Sequence, residues 1–90
     1  MRITFDPAKR DATLTHRGLD FADAVKVFAG RTATVVDDRT DYGEVRFITA
    51  GHLGGRMVVL VWTSRGDDRH VISMRHCHAK EEAVWRRRME

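Results

Sequence analysis

Ninety residues, 42% hydrophobic and 32% charged, specify one globular domain and exclude a disordered chain. No apolar run approaches the ~20 residues of a membrane span, the N-terminus lacks a signal-peptide core, and a lone cysteine, Cys77, excludes an internal disulfide; a cytoplasmic chain without membrane contact is expected. The net charge of +3 is unevenly placed: residues 1–45 carry 7 Lys/Arg against 8 Asp/Glu, residues 46–90 carry 9 against 5, and 13 of the 16 basic residues are arginine, a composition suited to a polyanionic partner and equally a mark of an Arg-rich genome.

Arg2–Phe5 reads as a short strand. Asp6-Pro7 then starts a helix, since Asp accepts from free N–H groups and Pro at the first helical position loses no hydrogen bond; it runs to about Arg17 and stops at Gly18. Asp20 caps a second helix whose Phe21, Ala24, Val25 and Phe28 form one apolar stripe, and Gly30 ends it. From there the period becomes two: Thr32–Val36 is a strand, 37–43 a polar, acidic loop, and Val45–Gly51, Arg56–Ser64 and Arg69–His76 three further strands joined by short Gly-bearing turns. Ala79–Arg88 closes the chain as a helix with a basic end. The expected class is α+β, with two N-terminal helices packed on an antiparallel sheet and a C-terminal helix.

With both hairpins symmetric about their turns, Ile48, Val59, Val61, Ile72 and Met74 share the face under the first two helices. Thr49, Val58, Ser73 and Arg75 share the other, with Phe47, Leu60 and Trp62 farther along, while Arg46 falls opposite Arg75, near His70 and Thr63.

Three segments, in order, resemble the BrnT family: Phe5-Asp6-Pro7-Ala8-Lys9 through Leu14 and Gly18 to Phe21–Phe28; Glu44-Val45-Arg46-Phe47 through Gly51 to Gly55–Val61; and Arg69–Arg75 followed by Glu81. The resemblance spans nearly the whole chain and implies a RelE-like fold, translation-inhibiting ribonuclease activity, and neutralisation in a hetero-oligomer by a BrnA-type antitoxin. That antitoxin carries a ribbon-helix-helix domain, so operator DNA is reached only through it. The chain departs from the family pattern at Thr13, where relatives have Asn, at His16-Arg17-Gly18, where they read Lys-His-Gly, and at Trp85, where Tyr is common.

A metal-free ribonuclease needs a base for the ribose 2′-OH, an acid for the 5′-oxygen, and cations on the phosphorane-like transition state. Several guanidinium groups are therefore expected around one phosphodiester. Arg75 matches the family's Ser-x-Arg pattern and equally suits a salt bridge to Glu81 or Glu82; Arg46 matches Glu-x-Arg and equally suits Glu44; Arg65 lies in a turn. With Glu81, as base or as orienter of Arg75, and His16, these are the catalytic candidates; the ordinary alternative for each is a solvated or structurally paired side chain. Lys9, His70, Trp85, Arg86 and Arg87 are the RNA-binding candidates, by charge and stacking. His76-Cys77-His78 suggests zinc, but alternate strand residues point to opposite faces and no CxxC or HExxH spacing occurs, so no metal and no cofactor is expected. The rival to the enzyme is a non-catalytic module of the same fold that binds antitoxin or nucleic acid.

Overall fold

The computed structural model describes residues 1–89. Strand β1 (Arg2–Phe5) leads into helix α1 (Pro7–Arg17), a 3₁₀ turn (Phe21–Asp23) and helix α2 (Ala24–Ala29). Strands β2 (Ala33–Asp37), β3 (Arg46–Leu53), β4 (Arg56–Arg65) and β5 (Asp68–His76) follow, and helix α3 (Ala79–Met89) comes last. Asp6 caps α1 by accepting from the Ala8 N–H at 2.9 Å, and Gly18, at φ 70°, ends it in the left-handed conformation that glycine adopts without strain. Among the described residues no helix is long and apolar enough to cross a membrane.

The second helical segment departs from the expected stripe. Its 3₁₀ start has about three residues per turn, so Phe21, Ala24 and Val27 line up and are buried, whereas Val25 is 47% exposed. Of the two N-terminal helical segments, this one buries side chains on the sheet; α1 buries none and lies along β5, held by Arg17, whose Nη1 donates to the Met74 carbonyl at 2.8 Å. Arg10 ties α1 to the cap of the next segment through two bonds to Asp20, at 2.9 and 3.0 Å.

The sheet has the order β1-β5-β4-β3-β2 and is mixed rather than purely antiparallel, because the edge strand β1 runs parallel to β5. Near the β4–β5 turn the pairing is symmetric, with Arg65 opposite Asp68 and Trp62 opposite Val71. Ile72 then forms a bulge, so that Val61 meets Ser73 and Val59 meets Arg75. Beyond the bulge every β5 side chain changes face relative to the symmetric hairpin. Met74 joins Leu60 and Trp62 in the main core beneath the second helical segment, with Leu19, Phe21, Ala24, Val27, Val58 and Val71. Ser73 and Arg75 join Val59, Val61 and Ile48 on the opposite face, and the β3–β4 register places Arg46 there too. The face expected under the first two helices is thus the one they leave free.

Two contacts fix the sheet's inner layer. The Trp62 indole N–H donates to Thr49 Oγ1 at 2.8 Å, and Thr49 shares a second hydroxyl bond, also 2.8 Å, with Thr34, satisfying a buried threonine and tying β2 to β3 and β4. Gly51 lets α2 approach β3: a Cβ there would stand 2.6 Å from Val27 Cγ1 and 3.1 Å from Thr32 Cγ2.

Helix α3 crosses the other face, with Trp85 and Met89 packed on Ala50, Met57 and Val59. In its first turn Glu81 reaches back to accept from the His78 N–H at 2.9 Å, which satisfies a free donor at the helix start. The same carboxylate accepts from Arg75 Nη1 at 2.5 Å and Nη2 at 3.3 Å, which joins the helix to β5.

Two outcomes follow from these contacts. Val27 is a stiff, fully buried neighbour, so Gly51→Ala is expected to lower stability by about 1–3 kcal/mol in denaturant unfolding. Unchanged stability would contradict the close packing of α2 on β3. The hydrogen bonds from Arg75 hold the Glu81 carboxyl at about 2, below its ordinary 4.5. A lowered carboxylate stabilises the fold above its unfolded value, and that contribution is lost as the pH falls through the folded one. Glu81→Gln is therefore expected to unfold at lower urea than the parent at neutral pH, with the gap closing as the pH approaches about 2. A gap that is constant with pH would show that the ion pair contributes nothing.

Candidate functional site

Helix α3 covers one part of its sheet face and leaves the rest open. On the open part Ile48 and Val61, although they sit in central strands, are only half-buried. Around them the register sets Arg46, His70, Ser73 and Arg75 on one face, where Arg46 and Arg75 were expected on opposite ones. Arg46 pairs with Glu44 at 3.1 Å, and its guanidinium lies 4.1 Å over the Tyr42 ring. His70 Nδ1 is hydrogen-bonded to Thr4 Oγ1 at 2.9 Å across the β1–β5 pair. Burial lowers the His70 pKa from the ordinary 6.5, and the charges of Arg65 and Lys9 add to this against the weaker pull of Glu44 and Asp6. Arg65, two positions beyond the Thr63 that pairs with His70, lies on the same face.

The expected gathering of guanidinium groups around a single phosphate is not the arrangement found. Arg46 lies level with Thr63 and Arg75 level with Val59, four positions along β4, or about 13 Å of strand. Each is held by its own carboxylate, Glu44 and Glu81 respectively. Glu81, expected as a base or as an orienter of Arg75, accepts from Arg75 through both oxygens and from the His78 N–H.

A groove of about 450 Å³ opens beside this face, between α1 and β5. Lys9, Thr13, His16 and Arg17 line it from the helix, and Ile72 and Ser73 from the strand. Two of the proposed residues, Lys9 and His16, meet there; Arg17 completes the helix stripe and was not singled out from sequence. At the far end of the sheet face, buried Asp37 binds Arg39 at 2.7 and 2.8 Å and accepts from the Tyr42 hydroxyl at 3.2 Å, with its pKa held at about 2 chiefly by Arg39. The acidic loop expected from sequence is in fact stitched by these bonds. No periodic signal announces them, because they depend on side chains two to five positions apart in irregular backbone.

The remaining candidates lie apart. Trp85 is half-buried in the core beneath α3. Arg86 approaches Glu82 at 3.8 Å and borders a separate groove of about 250 Å³ with Arg31, His52 and Met89. Arg87 Nε donates within its own helix, to the Ala83 carbonyl. Burial raises the Cys77 thiol to about 11, which leaves it protonated and a poor nucleophile at neutral pH. Among the described residues no three His, Cys, Asp or Glu side chains are placed to hold a metal ion.

The arrangement is a cationic sheet face with a neutral histidine, bordered by a basic groove, and it suits a phosphodiester ligand. The comparisons agree with it. No individual curated protein matched the chain. A family model did, over residues 5–81, from the last residue of β1 to the first turn of α3; its description is the ribonuclease toxin, BrnT, of type II toxin–antitoxin systems. With most of its length matched, this chain belongs to the BrnT family of ribonuclease toxins and acts within a toxin–antitoxin pair.

Proposed function

We propose that the chain is a metal-independent endoribonuclease of the mRNA-interferase type, with a RelE-like fold, that inhibits translation in the cytoplasm. Its partner in this reading is a ribbon-helix-helix antitoxin of the BrnA type, which covers the toxin in a hetero-oligomer and alone contacts operator DNA. The carrying observation is that Arg46, His70, Ser73 and Arg75 share the sheet face opposite α2, of which α3 covers only one part. RNA lies along that face, with Arg46, Arg65 and Lys9 near one phosphate and Arg75 near another. His70 takes the proton of the 2′-OH as the 2′-oxygen attacks phosphorus. The bond to the 5′-oxygen breaks, solvent protonates that oxygen, and a 2′,3′-cyclic phosphate and a 5′-OH end result. In the tautomer in which Nδ1–H donates to Thr4 Oγ1, Nε2 is left as the ring atom that takes the proton. Arg75, aligned by Glu81, stabilises charge on the transition state.

Purified chain incubated with RNA in EDTA is expected to yield cyclic-phosphate ends; cleavage only on addition of a divalent metal would refute metal independence. Arg75→Ala is expected to slow cleavage by about 10²–10³-fold while remaining folded. Full activity of that folded variant would remove Arg75 from the site. His70 has a lowered pKa, so the parent rate is expected to hold as the pH falls to the ordinary histidine value of 6.5 and to drop below it. His70→Gln is expected to lose that acid limb together with about 10²–10⁴-fold in rate. A chain that binds RNA and antitoxin but cuts nothing would favour the non-catalytic module, for which the carboxylate pairing of Arg46 and Arg75 is the supporting observation.

A further inference from the structure

We propose that the α1–β5 groove is a phosphodiester-binding site for RNA flanking the reacting nucleotide, with Arg17 as its central contact; this rests on the ribonuclease reading above. Positions 9, 13, 16 and 17 fall on one helix stripe, so Lys9, Thr13, His16 and Arg17 all face the groove. The opposite wall exists because β1 stops pairing at Val71, leaving Ile72 and Ser73 beside the helix instead of beneath a strand.

Like Arg31 and Arg87, whose Nε atoms donate to the Met89 and Ala83 carbonyls, Arg17 has a backbone partner rather than a carboxylate. Arg2, Arg10, Arg39, Arg46 and Arg75 each bind a carboxylate. Arg17 is held through Nη1 by a neutral acceptor, the Met74 carbonyl, so it is positioned without being neutralised. Among the described residues no carboxylate lines the groove. The nearest acidic residues of α1 are engaged elsewhere: Asp6 caps the helix and Asp11 pairs with Arg10. A guanidinium with free donors, an ammonium and the hydroxyls of Thr13 and Ser73 form a donor set for a phosphate oxygen pair. Ser73 belongs both to this groove and to the open sheet face, so a strand bound in one continues into the other.

The test uses the full chain and a fluorescent 2′-O-methyl RNA oligonucleotide, which binds without being cut. At low salt Arg17→Gln is expected to weaken binding about tenfold and to reduce the salt slope by about one, as loss of one phosphate contact requires. Arg17→Lys, which keeps the charge, is expected to fall between. Lys26→Gln, which removes an equal charge beside Asp23 and outside the groove, is expected to match the parent. In the parent, inorganic phosphate is expected to shift the backbone amide signals of His16, Arg17 and Ser73, a readout that needs no variant to fold. Parent binding with an Arg17→Gln affinity and slope equal to those of Lys26→Gln would overturn the proposal. So would amide shifts with inorganic phosphate but undiminished RNA affinity, which would make the groove a free-anion site. A loss confined to antitoxin affinity would overturn it in favour of an acidic peptide ligand. If the parent binds no RNA, the ribonuclease reading itself falls, a result distinct from failure of the groove alone.

Discussion

One inserted residue governs how this molecule presents its chemistry. The bulge at Ile72 displaces the β4–β5 pairing by a single position, and because strand side chains alternate, that displacement exchanges the faces of everything beyond it. Met74 turns inward against Leu60, while Ser73 and Arg75 turn to the face that already carries Arg46 and His70. Without the bulge, Arg75 would project into the apolar layer beneath α2, an unpaired charge among Leu60, Trp62 and Phe21. The same register brings Arg75 within reach of Glu81, so the bulge also determines where α3 begins.

Electrostatic compensation is uneven across the surface. Guanidinium groups on the open sheet face are aligned by carboxylates, which orients them at the cost of much of their charge. The α1 groove takes the opposite solution, in which a backbone carbonyl aligns Arg17 and the charge remains. A polyanion would therefore meet an arginine without a carboxylate partner beside β5 and carboxylate-oriented donors on the sheet. Few changes of shape are needed for such binding, since Arg75, Arg46 and Arg39 are already held by their partners.

Much of the architecture was legible along the chain because its signals are local. Asp6-Pro7 and Gly18 bracket α1 by capping chemistry, and the switch from helical spacing to alternation after Gly30 marks the sheet. Less legible were features set by long-range pairing. The parallel β1–β5 contact joins residues more than sixty positions apart, and the 3₁₀ start of the second helical segment shifts its buried stripe from Val25 to Val27. The Asp37–Arg39–Tyr42 network lay in a segment that reads only as polar loop.

Sequence alone therefore settled the α+β class, the order of its elements, the family to which it is similar, and the residue types available for phosphate chemistry. These follow from composition, periodicity and end-capping, which act over a few neighbouring residues. Tertiary structure decided which of those residues share a surface: it set Arg46, Arg65 and His70 on the face of Arg75, and gathered Lys9, His16 and Arg17 with Ser73. The reason is geometric. Strand alternation has a period of two, so one unpaired residue inverts every later assignment, and only packing of the apolar layer under α2 chooses between the two registers.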